Sequence, residues 1–177
     1  MFIICKPSGT RFRLDAPTPA MVHVRDIARH LSMKCRWSGG VEHFYSVAQH
    51  SVMVSRWIEP AHAFLGLMHD AEEAYTGDVS SPMKAMFADA HHVASVFTEV
   101  IGARFGITPK HLWPASLKHY DNVALVTEWR DIVVPPEGVE NWGMPNVEPW
   151  PETLVGVSPA EAEGMFLARF AELYQGE

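Results

Sequence analysis

The sequence predicts an all-α fold, a helical bundle preceded by a small N-terminal β-hairpin. Apolar residues recur at helical spacing through most of the chain from about residue 47 onward. Serine-led capping signals stand before two of those runs, at Ser46 and Ser158. Two short β-rich runs near the start, separated by turn residues, predict the hairpin.

Residues 2–5 (FIIC) and 10–14 (TRFRL) are the two strands, with Lys6, Pro7, Ser8 and Gly9 as the turn between them. Pro17 and Pro19 break the chain before a first helix from Val24 to Leu31, and Trp37 opens a Ser-Gly-Gly loop. Ser46 as N-cap and Gln49 three residues on form a capping box, so a helix is expected over 47–58, ending near Pro60. A second is expected over 61–75, with apolar residues at 63, 64, 67, 68 and 71 and a stop at Gly77. Further helices fit at about 85–105 and 116–133. Residues 135–152 are Pro-rich and carry Trp142 and Trp150, a loop long enough to suggest a lid, a docking segment or a subunit contact. Ser158, Pro159 and Glu161 open the last helix. There are no repeats, and 177 residues fit a single domain, with 1–20 as a hairpin extension.

Composition excludes several classes. With 47% hydrophobic and 20% charged residues the chain has material for a core and does not read as disordered. Its net charge of −7, from 14 basic and 21 acidic residues, offers no electrostatic footprint for duplex nucleic acid. A phosphate-bearing substrate must be captured locally, by a few cations or a metal ion. Cys5 and Cys35 are too far apart for a CxxC pair and make no disulfide framework, which suits a reduced compartment. The apolar start is too short for a signal peptide and no stretch has the length of a membrane span, so a soluble cytoplasmic protein is expected.

Chemistry concentrates in one set of residues. His69 and Asp70 sit in the middle of the apolar run AFLGLMHDAEEAY. On a helix, adjacent side chains diverge by about 100°, and one ion between them is within reach of both. Glu73, four residues after His69, lies one turn along on the same face, a carboxylate placed to handle the proton of an attacking water. A His-Asp dipeptide alone is a weak signal, since such pairs also satisfy carbonyls or form salt bridges. His50, between Ala48 and Val52, reads alone as a core or capping histidine, and Asp121 reads alone as a helix-packing hydrogen bond. Together, three helices each put a polar group on an apolar face. Two imidazoles and two carboxylates suit one borderline divalent ion such as Zn, Mn, Co, Ni or Fe, with positions left for water and substrate.

The order H…HD…D resembles that of the HD-domain phosphohydrolases, and more closely the branch of bacterial 5′-deoxynucleotidases and phage dATP triphosphohydrolases. The likeness rests on Arg36-Trp37, the run from Ser46 to Ser51, the run from His69 to Glu73, Thr76-Gly77-Asp78, Pro82-Met83-Lys84, and Asp121. It covers residues 24–130. It implies an HD-domain helical bundle and hydrolysis of deoxynucleotide phosphates. By position it makes His50, His69, Asp70 and Asp121 the metal ligands, and Glu73 and Asp78 the acid/base carboxylates. Arg36 and Lys84 would meet phosphate, and Trp37 the sugar or base. Without the resemblance, Asp78 reads equally as a turn residue after Gly77, Lys84 as a solvated helix-start lysine and Trp37 as core. One departure stands out: the family's usual Glu-His-Ser is Gln49-His50-Ser51 here.

The expected activity is that of a 5′-deoxynucleotidase releasing phosphate from deoxynucleoside monophosphates. A dNTP triphosphohydrolase is the alternative within the fold, and a non-catalytic metal- or nucleotide-binding regulatory module is the alternative of another class. The resemblance also implies a homo-oligomer, a dimer or larger.

Overall fold

The computed structural model describes the chain except residues 81, 82, 84, 85, 88, 108–113, 136, 140–142 and 177, and the side chains of residues 90 and 91. Lys84, Pro82 and Trp142 therefore lie outside the described residues.

Strands β1 (Phe2–Ile4) and β2 (Arg11–Arg13) pair antiparallel, with Ile3 opposite Phe12. Alternation decides which side is buried: Phe12 is fully enclosed while Arg11 and Arg13 face solvent. The Phe12 ring stacks 4.0 Å from that of Tyr75 and lies 5.8 Å from Phe97. The turn is tied down as well. Ser8 donates to the buried Asp26 from its backbone N–H (2.8 Å) and its hydroxyl (2.5 Å). His30 accepts from the Lys6 N–H at 3.2 Å through Nε2, while its Nδ1 donates to the Ala74 carbonyl at 2.9 Å. The hairpin is thus part of the core.

Seven helices follow among the described residues: α1 (Val24–Ser32), α2 (Val47–Trp57), α3 (Ala63–Met68), α4 (Glu73–Thr76), α5 (Ala90–Phe105), α6 (Ala115–Glu128) and α7 (Pro159–Leu173). Helix α2 is central and packs on α1, α3, α6 and α7. Its residues are apolar or small on nearly every side, and all but Met53 and Arg56 are buried. The main core joins Ile27, Leu31, Val52, Leu67, Phe97 and Phe166. No helix among the described residues is long and apolar enough to cross a membrane.

The helix expected over 61–75 is interrupted. Residues 69–72 form turns between α3 and α4, with i→i−3 bonds from Ala71 N–H to Met68 O (3.1 Å) and Glu73 N–H to Asp70 O (3.0 Å). The reason is local: the His69 Nδ1 donates to the Gly66 carbonyl at 2.8 Å, the acceptor that an α-helical ladder would assign to the Asp70 N–H. Gly66 itself is required by close approach, since a Cβ there would stand 3.0 Å from the Ser55 Cα of α2.

Ser46 caps α2 through the Gln49 N–H (3.1 Å), and Ser158 caps α7 through the Glu161 N–H (3.2 Å), as their spacing predicts. The reciprocal half of the first box is replaced. The Gln49 amide instead clasps the backbone of the late loop, donating to Val155 O (2.7 Å) and accepting from the Val157 N–H (3.0 Å). That loop lies along α2 and α6 as a strap. Trp150 stacks on Trp57 at 4.7 Å and its N–H donates to the Thr127 hydroxyl (2.8 Å), while the Leu154 N–H donates to Asp131 (2.7 Å). Helix α6 stops at Glu128, short of the expected 133, and widens into one π-helical turn, Trp129–Val133.

Candidate metal centre

Four side chains from three places converge beneath the break between α3 and α4. His50 lies on the first turn of α2, His69 and Asp70 on the turn after α3, and Asp121 midway along α6. His50 Nε2 stands 3.2 Å from His69 Nε2, 3.6 Å from Asp70 Oδ2 and 3.4 Å from Asp121 Oδ1. His69 Nε2 is 3.2 Å from Asp70 Oδ2 and 4.0 Å from Asp121 Oδ1. An ion about 2.1 Å from each ligand atom separates neighbouring ligand atoms by about 3.0–3.5 Å. Three of the five separations have that spacing, and the other two, 3.6 and 4.0 Å, are wider.

The direction of the lone pairs argues the same way. His50 Nδ1 faces Glu128 Oε1 at 2.6 Å and His69 Nδ1 faces the Gly66 carbonyl, so each ring carries its N–H on Nδ1. Both Nε2 atoms then present lone pairs to each other and to two carboxylate oxygens. Such a convergence of acceptors is repulsive unless a cation or protons fill it. The buried group of His50, His69 and Asp121 could hold a metal ion, and Asp70 Oδ2 lies beside it, 3.2 Å from His69 Nε2.

Charge reinforces the picture. Burial alone would pull the His69 imidazole down, but the carboxylates of Asp70 and Asp121 outweigh it and push its pKa up to about 9. His50 is raised too, burial and Arg36 being overcome by Glu128 and Asp121. Asp70 and Asp121 are held well below the usual carboxylate range by the imidazoles, despite burial. Metal must displace these protons. Affinity for Mn or Co is therefore expected to fall as pH drops below about 9, by about tenfold per unit for each proton displaced. Calorimetry across pH 6–9 checks this, and a flat profile would exclude the imidazoles as ligands.

The structure describes all but one of the other residues singled out from sequence. Glu73 is buried, and its carboxylate lies within 4.8 Å of those of Asp70 and Glu72. Asp78 is half-buried, and its charge and that of Glu73 act on Lys34, whose pKa burial lowers against their pull. The Arg36 guanidinium reaches Asp70 with Nη1 at 3.8 Å. Burial opposes its charge, yet Glu128, Asp70, Asp78 and Asp121 together keep it firmly protonated. Trp37 is half-buried beside Trp129, with ring centres 5.8 Å apart. Lys84 lies outside the described residues.

Three participants have no role in the sequence reading. Glu128 is fully buried and takes hydrogen bonds from His50 Nδ1, Arg36 Nε (2.9 Å) and Trp37 Nε1 (3.0 Å). Its signal was position, seven residues after Asp121 and so on the same face of one helix. Glu72 joins the acidic group because the 69–72 turn departs from a regular helix, on which it would point away. Lys34 bonds the Ala74 carbonyl at 2.9 Å, and nothing in its sequence context marks it.

No family model matches the chain. The uncharacterized protein YfdR of Escherichia coli is 36% identical over 171 residues, spanning 94% of this chain and 92% of that protein. An uncharacterized protein of Rhodobacter capsulatus is 33% identical over 121 residues, 63% of this chain and 61% of its own length. The identity to YfdR runs over nearly the full length of both proteins, and the chain belongs to the family of Escherichia coli YfdR.

Proposed function

We propose that the chain is a divalent-metal-dependent phosphohydrolase of the HD type, acting on deoxynucleotides as a 5′-deoxynucleotidase. One observation carries the reading: His50 Nε2 stands 3.2 Å from His69 Nε2, 3.6 Å from Asp70 Oδ2 and 3.4 Å from Asp121 Oδ1. The resemblance of the ordered motifs to those of deoxynucleotide phosphohydrolases suggests the substrate class.

A divalent ion such as Mn, Co, Zn, Ni or Fe would supply Lewis-acid chemistry there, acidifying a water and offsetting phosphate charge. The chain's own groups would do the rest. Arg36, fixed by its Nε bond to Glu128, holds its Nη1 at the rim of the ligand set and would neutralise a non-bridging phosphate oxygen. Lys84 would add a second positive charge. Glu73, on the segment that carries His69 and Asp70, would take the proton of the attacking water, and Asp78 would return one to the leaving oxygen. Trp37 would pack against the sugar or base, and a dimer or larger assembly is the proposed state.

Glu73→Gln is expected to lower kcat by about 10²–10⁴-fold while metal content stays that of the wild type. An unchanged rate would remove Glu73 from the mechanism. The reading itself is tested by incubating the protein with Mn or Co against separate panels of dNMPs and dNTPs. Orthophosphate from dNMPs is the expected product. Triphosphate from a dNTP would reassign the substrate, and no turnover with metal bound would leave a binding module.

A further inference from the structure

We infer that Glu128 is a positioning residue that couples the ligand set to the Arg36–Trp37 arm, so that one carboxylate orients both the metal-binding imidazole and the phosphate-facing guanidinium. The inference rests on the metal-dependent reading given above. Glu128 has no exposed surface, and its two oxygens are divided between the two tasks. Oε1 faces His50 Nδ1 at 2.6 Å; Oε2 accepts from Arg36 Nε at 2.9 Å and Trp37 Nε1 at 3.0 Å. Moving the carboxylate to suit one side moves the other.

All three partners present N–H groups, and only a carboxylate offers acceptors at both ends. Glutamine has the same shape, yet its NH₂ would face a donor on one side or the other. The arm needs such an anchor for a reason visible in its backbone. Trp37 (φ 58°) and Ser38 (φ 53°) are consecutive non-glycine residues in the left-handed region, a conformation that persists only where the surroundings over-determine it. The Trp37 indole is held by Glu128, and the Arg36 N–H bonds the Tyr45 carbonyl at 2.9 Å. With Nε fixed, the guanidinium plane is fixed, and Nη1 is aimed toward Asp70 at 3.8 Å. Stability alone is a weak reason for such a cluster, because buried ion pairs are often no more stabilising than apolar residues of similar size.

The test compares wild type, Glu128→Gln and Trp37→Phe. Co(II) affinity and the visible spectrum of the Co(II) form are recorded without nucleotide; kcat and KM for a dNMP are then measured at saturating metal. Glu128→Gln is expected to weaken Co(II) binding about 10–100-fold, to alter the spectrum and to raise KM. Trp37→Phe leaves Oε1 on His50 and is expected to raise KM with Co(II) affinity and spectrum unchanged. A Glu128→Gln protein with wild-type Co(II) affinity and spectrum overturns the coupling, whatever happens to its melting temperature. Wild type that binds no Co(II) overturns the metal reading and the coupling together, a different result. If Glu128→Gln does not fold, Glu128→Asp keeps two acceptors but draws them back along the side chain. There Co(II) affinity and KM must shift together, and a shift in one alone overturns the inference.

Discussion

Asp70→Ala is expected to leave a folded protein that no longer retains divalent metal and turns over substrate at least about 10³-fold more slowly. The Asp70 Oδ2 stands 3.2 Å from His69 Nε2, 3.6 Å from His50 Nε2 and 3.8 Å from Arg36 Nη1. Alanine would remove a proposed ligand, and with it a negative charge that favours a cation between the two imidazoles. A metal ion contributes several kcal/mol of charge stabilisation in such reactions, and each 1.36 kcal/mol is about a factor of ten. The fold should survive, because Asp70 lies on a turn and is partly open to solvent. Metal analysis of the dialysed protein, circular dichroism and a rate assay separate these effects. Unchanged metal content would show that Asp70 is not a ligand.

Phe12→Ala is expected to cost about 3–5 kcal/mol of stability, the usual range for deleting a buried aromatic ring. For a chain of this size each kcal/mol lowers the melting temperature by about 2–4 °C, so a fall of about 6–20 °C is anticipated. The hairpin resembles an appendage only in outline. Phe12 stacks on Tyr75, two residues beyond Glu73, and its loss opens a cavity under the segment that carries His69, Asp70 and Glu73. Thermal unfolding followed by circular dichroism decides it. A loss below about 1 kcal/mol would mean that the hairpin docks without stabilising that segment, since typical buried-aromatic deletions cost several times more.

What could be read in advance follows from the range of each interaction. The caps at Ser46 and Ser158 close within three residues, so their spacing alone locates the starts of α2 and α7. Helical periodicity likewise places His50 and Asp121 on apolar faces, and the structure brings both to one point with His69 and Asp70. The break at 69–72 was not readable. Its cause is a side-chain bond from His69 to the Gly66 carbonyl, which competes with the ladder without disturbing the apolar pattern. Glu128 escaped notice because a lone carboxylate on a helix acquires meaning only through Arg36, 92 residues earlier. Gln49 was readable as a cap residue, and its backbone position serves that role. Its amide explains why the position is not a glutamate here: Val155 offers an acceptor, to which a carboxylate could not donate.

The strap and the centre it adjoins also bear on the kinetics of folding. Gln49, Arg36 and His50 find their partners 106, 92 and 78 residues further along the chain. Closing loops of that length costs entropy before any contact rewards it, whereas the hairpin and the α2–α3 pair join residues close in sequence. The His-Asp cluster should therefore be assembled after the folding barrier, on a scaffold already half built. Substitutions at Gln49 or Glu128 would then speed unfolding and leave the refolding rate nearly untouched.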